Sequence, residues 1–77
     1  MMYNVDIEDW GTITVKASSA EAAAETAARH YDWRTVEFPV ARGTDIEVMV
    51  TDENGVETRW TVSGRSEPVY WAKEVTT

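Results

Sequence analysis

The sequence predicts a single small α+β domain in which a mainly antiparallel sheet carries one helix packed on one face, in the order β-β-α-β-β-β-β. Most of the chain alternates apolar and polar residues with a period of two, as strands with one buried face do. One Ala-rich stretch, Ala20 to Ala28, breaks that alternation and places alanines at helical spacing. The 77 residues are too few for two cores, so one domain, residues 1–77, is the ceiling.

The first strand carries Tyr3, Val5 and Ile7 on one face and Asn4, Asp6 and Glu8 on the other. The second carries Ile13, Val15 and Ala17 against Thr12, Thr14 and Lys16. Opposed residues share a face, so Ile7 is expected opposite Ile13 and Glu8 opposite Thr12. That pairing leaves a loop of Asp9, Trp10 and Gly11, with Gly11 at the left-handed position.

The helix follows. Ser18 is the expected N-cap, with Glu21 completing a capping box. Ala20, Ala23, Ala24, Ala27, Ala28 and Tyr31 form the apolar stripe, while Glu21, Glu25 and Arg29 are expected to face water. Arg29 and His30 fall in the expected last turn, where the dipole favours cations.

Val36, Phe38 and Val40 alternate with Thr35, Glu37 and Pro39 in a third strand that Pro39 confines to an edge or a bulge. Arg42-Gly43-Thr44 then turns into Ile46, Val48 and Val50. The next turn invites a two-residue Asn54-Gly55 hairpin, but that would place Val50 opposite Arg59. A loop of Glu53, Asn54 and Gly55 instead sets Val50 opposite Thr58, Val48 opposite Trp60 and Ile46 opposite Val62. It also opposes Met49 and Arg59 on the outer face. Gly64 to Pro68 reads as a loop, and Val69 to Val75 as a last strand that is apolar on both faces. Trp60 and Trp71 fit core positions.

Six strands span about 24 Å and a helix is about 10–12 Å wide. Either the sheet curls around the helix or apolar sheet is left for a partner or a second copy.

The composition narrows the function classes. With no cysteine, disulfides, thiolate metal sites and a catalytic Cys are excluded. A single His is too few for a zinc site, and His30 beside Tyr31 and Asp32 reads as an ordinary helix end. The four glycines lie far apart at turns and form no phosphate loop. A net charge of −7 argues against direct nucleic-acid binding. No apolar run spans a membrane and no charged-then-apolar leader opens the chain, so the expected location is cytoplasmic. No cofactor, metal or catalytic residue is expected.

The acids gather as Asp6, Glu8 and Asp9, as Asp45 and Glu47, and as Asp52, Glu53 and Glu57. Calcium-loop spacing is missing at Asp52-Glu53-Asn54-Gly55. Asp6, Glu8, Glu47 and Glu57 fall on the outward face of the inferred strands, and Trp10 sits at a loop tip beside acids, where it can anchor an interface or fold back over its hairpin. Trp33 is expected just past the helix, free to stay exposed. Asp6, Glu8, Asp9, Trp10, Glu47, Asp52, Glu53 and Glu57 are the candidate partner-binding set.

Ile13-Thr14-Val15-Lys16-Ala17-Ser18-Ser19-Ala20-Glu21-Ala22-Ala23 is a strand running into a capped Ala-rich helix. Over residues 12–62 the pattern resembles small phage and plasmid accessory proteins, including domains of the DpnD/PcfM type. It is also similar to small anti-CRISPR proteins that inhibit type I surveillance complexes. In those, a similar segment precedes a hairpin with an acidic Gly turn and a Trp-bearing strand, as Asp52 to Trp60 does here. The resemblance transfers no individual functional residue. It implies a non-enzymatic inhibitor whose acidic face docks on the basic, nucleic-acid-binding surface of a Cascade-type complex in the host cytoplasm. The alternative is a homodimeric accessory module of a phage, a plasmid or a salt-adapted organism, with the acids serving solubility.

Overall fold

The computed structural model describes residues 1–8, 10–35, 39–40, 42–65 and 69–75. The elements are β1 (Met2–Ile7), β2 (Gly11–Lys16), α1 (Ala20–Thr35), β3 (Ile46–Thr51), β4 (Glu57–Arg65) and β5 (Val69–Glu74). The strands form one antiparallel sheet of five in the order β2-β1-β3-β4-β5. β1 therefore lies between the strand that follows it and a strand from the second half of the chain.

Alternation along each strand decides which side chains reach the helix. Val5, Ile7, Val48, Val50 and Val62 are almost completely enclosed beneath α1, with Tyr3, Val15, Trp60 and Tyr70 around them. Ala23, Ala24, Ala27 and Ala28 have no exposed surface, so the helix backbone lies close on the sheet. Ala20 and Tyr31 pack at the margins of the same stripe. The five strands span about 19 Å over four gaps. One helix covers a single face of that width, and the other face is open among the described residues.

The hairpin between β3 and β4 has the expected register, with Val48 opposite Trp60 and Met49 opposite Arg59. Gly55 adopts φ 81° and donates its N–H to the Asp52 carbonyl at 3.1 Å. Asp52 Oδ1 accepts the Asn54 and Val56 N–H groups at 2.8 and 2.9 Å, which fixes the turn.

The first hairpin differs from expectation. Ile7 pairs with Gly11 and Val5 with Ile13, a shift of two residues. The loop is residues 8–10, closed by the Trp10 N–H on the Ile7 carbonyl at 3.1 Å. Every inward residue stays inward, because a two-residue shift preserves the face. Alternation fixes the face, and loop closure fixes the register within it.

The helix starts one residue later than the capping box implies. The Ala17 N–H still bonds the Met1 carbonyl at 3.0 Å, so the strand ladder reaches past β2 and delays the turn. Ser19, rather than Ser18, is the cap, with Oγ accepting the Ala22 N–H at 3.1 Å. The helix runs through 16 residues to Thr35, so Trp33 lies within it rather than past its end, and Arg34 rather than Arg29 or His30 is the basic residue of its last turn.

Of the expected strand at 36–40, residues 36–38 lie outside the described residues, while Pro39 and Val40 form a turn. Val40 is nonetheless fully buried. Its backbone lies against Gly64, where a β-carbon would sit 2.9 Å from the Val40 oxygen. Gly64 therefore belongs inside β4, opposite Tyr70, rather than opening a loop. Its lack of a side chain admits the crossing segment. The rest of the expected loop, residues 66–68, lies outside the described residues.

Candidate functional site

Two surfaces follow from this fold: the open sheet face and the margins where α1 meets the two edge strands. The open face is built from the outward parity of every strand. One row across it runs Thr12, Asp6, Met49 and Arg59. Beside it the Glu8 N–H reaches the Glu47 carbonyl at 3.4 Å, bringing those two acids side by side. Asp6, Glu8, Glu47, Val48, Met49 and Arg59 line a shallow depression of about 270 Å³. Three carboxylates and one guanidinium thus share it, with the Met49 thioether among them. Thr12 Oγ1 donates to Asp6 Oδ1 at 3.3 Å, leaving the carboxylate exposed but oriented. No group of three metal-ligating side chains suited to a metal ion occurs among the described residues.

The candidate set divides. Asp6, Glu8 and Glu47 come together in the depression, and Glu57 shares their face next to Arg59 on β4. Asp52 and Glu53 lie at the far end of β3, about 17 Å along the strand from Glu47. Both have structural work there: Asp52 holds its turn, and Glu53 Oε1 accepts the Met2 N–H at 3.0 Å. Asp9 lies outside the described residues. Trp10 turns to the helix side, its ring edge-on to Tyr31 at 5.5 Å and 90°, although 38% of its surface remains accessible.

Trp71 corrects the sequence reading. It is 42% exposed on the open face, opposite Ser63, whereas Trp60 is buried. Tyr70 and Ala72 take the inward parity of β5, and a sheet with one covered face cannot enclose both sets. Apolar residues on both faces of a strand in a one-helix domain were the available signal.

The helix margins hold the polar contacts that sequence reasoning missed. Asp32 is completely buried, with Oδ1 accepting the Val40 N–H at 2.9 Å and Oδ2 the Tyr70 hydroxyl at 2.6 Å. One carboxylate thus joins the helix, the buried turn and β5. Burial, the hydrogen bond to Asp32 and the Asp32 charge together push the Tyr70 hydroxyl up to about 12, against a smaller opposing pull from Arg29. The Arg29 guanidinium lies over the Tyr70 ring, 5.8 Å from its centre. Glu25 does not simply face water: its Oε2 accepts the Ala72 N–H at 2.9 Å. Asp32 lies four residues after Ala28, at the border of the apolar stripe, and that position was its only trace in the sequence.

On the opposite margin, Trp10, Ile13, Thr14, His30 and Arg34 line a groove of about 190 Å³. Among the described residues this margin brings the His30 imidazole beside the Arg34 guanidinium and the Trp10 ring. No helix of the described residues is long and apolar enough to cross a membrane. The fold and these surfaces define a two-layer α+β domain with one open sheet face. No protein-family model matches the chain, and neither do any curated protein or solved structure.

Proposed function

We propose that the chain is a non-enzymatic binding protein whose open sheet face docks on a basic protein surface in the cytoplasm. The observation that carries this reading is the convergence of Asp6, Glu8 and Glu47 on one shallow depression of a face that no helix covers. Arg59 within that depression keeps the carboxylates from simple mutual repulsion and supplies a fixed fork for a partner's acceptor. Met49 and the exposed Trp71 add adaptable and aromatic contact area to the same face. The net charge of −7 steers association with a cationic partner and makes its rate salt-dependent. Resemblance to phage inhibitors makes a type I surveillance complex the specific target, with the acidic face occupying the site of target DNA.

The test is target-DNA binding by a purified type I surveillance complex with and without this protein. The wild type should block binding, and the triple variant Asp6→Asn, Glu8→Gln, Glu47→Gln should lose at least tenfold in potency. No inhibition by the wild type defeats the inhibitor reading. The second reading, a homodimer through the open face, is favoured by Trp71 and Met2, 42% and 45% exposed there. Sedimentation of a monomer at high micromolar concentration removes it.

A further inference from the structure

The two edges of the sheet are finished differently. The Ala17 N–H bond to Met1 sets the alternation along β2, so the N–H and C=O groups of Ile13 and Val15 face β1. Those of Thr12, Thr14 and Lys16 face the opposite way, where the sheet has no further strand among the described residues. The groove lined by Trp10, Ile13, Thr14, His30 and Arg34 runs along this edge, between β2 and the last turns of α1.

We propose that the β2 edge binds an extended acidic peptide segment of a partner protein by strand addition. Its backbone would pair with Thr12, Thr14 and Lys16. A residue opposite Ile13 in an added strand directs its side chain to the helix side, into the groove. An acidic side chain there meets the Arg34 guanidinium and the His30 ring, with Trp10 forming the apolar wall. On the other face, Lys16 is placed to take a second acid three positions away. Among the described residues the groove lining contains no carboxylate, in a chain with twice as many acids as lysines and arginines. That local reversal of charge selects an acidic strand. A second copy pairing through its own β2 would bring only Gly11–Lys16, which carries no acid for Arg34 or Lys16. The proposal uses none of the open-face residues, so it stands apart from the reading above.

The test is selection of a random heptapeptide display library on the immobilised wild-type protein, with enriched peptides then titrated into the isotope-labelled protein. Enriched sequences should carry Asp or Glu three positions apart. Their binding should shift the Thr12, Thr14 and Lys16 amides and the Trp10 indole. Arg34→Glu should lower affinity at least tenfold and abolish the acidic preference. Thr14→Pro removes one outward donor without touching the β1 ladder and should do the same to affinity. Failure to enrich acidic peptides, or shifts centred on the open face or on β5, would overturn the proposal. So would concentration-dependent shifts of the β2 amides without peptide, which would mark self-association. If Thr14→Pro fails to fold, Arg34→Glu alone decides.

Discussion

The β5 and β2 edges belong to the same sheet, yet among the described residues only one is capped. At β5, α1 reaches over the edge: Glu25 accepts the outward Ala72 N–H, and Asp32 holds the Tyr70 hydroxyl. At β2 the helix leaves a groove and a row of backbone groups that no strand of the described residues pairs. The difference teaches that an edge is opened or closed by where a helix sets its polar side chains. The strand's own pattern does not decide it. Exposed edges invite pairing with another chain, so the covered edge resists it and the open edge is available for it.

The largest expected effect comes from breaking the covered side at its centre. Asp32→Ala deprives the buried Val40 N–H and Tyr70 hydroxyl of their acceptor, and should cost about 3 kcal/mol or more in urea unfolding. For a domain of this size that is a large share of its stability. Gly64→Ala should cost about 1–3 kcal/mol in the same assay, because the new β-carbon meets Val40 backbone rather than a flexible side chain.

Tyr70 gives the comparison a pH signature. Its hydroxyl is pushed up to about 12 in the folded chain from an ordinary 10, so the folded state holds that proton more tightly. The stabilisation is complete below pH 10 and is lost as pH rises from 10 to 12. The loss should be on the order of 2 kcal/mol. Tyr70→Phe should lower stability at neutral pH by about 1–2 kcal/mol and flatten this part of the alkaline profile. An unchanged profile would show that the hydroxyl titrates normally.

Smaller changes sharpen the contrast between edges. Glu25→Ala should cost about 1 kcal/mol and speed hydrogen exchange at the Ala72 amide, making β5 resemble β2. Thr14→Pro should cost no more than about 1.5 kcal/mol, since the lost N–H has no strand partner among the described residues and only the exposed Thr14 Oγ1 bond to Asn4 Oδ1 is given up. A large loss at Thr14 would mean that the β2 edge is paired in solution.

Much of the fold was legible in the residues. Period-two alternation gave the inward set Tyr3, Val5, Ile7, Val48, Val50 and Val62, and the parity of the apolar residues chose the Gly55 loop over the Asn-Gly hairpin. The outward carboxylates Asp6, Glu8 and Glu47 came from the same alternation. It could not tell a register from one shifted by two, so the first hairpin was misplaced. It could not rank Ser18 against Ser19, because the choice depended on how far the strand ladder ran. Trp71 was assigned to the core because a hydrophobic side chain carries no record of which face the helix covers.

The sequence by itself determined the helix, the buried faces of β1 to β4 and the acidic character of the open face. These depend on local spacing and net charge, which need no knowledge of distant neighbours. Only the tertiary structure decided the strand order, the burial of Asp32, the use of Glu25 as an edge cap and the grouping of His30 and Arg34 with Trp10. Each of these joins residues from separate elements, as Asp32 does with Tyr70 and Glu25 with Ala72. Such contacts depend on how the helix is set across the sheet, and close packing of the alanine stripe fixes that setting only when the whole core assembles.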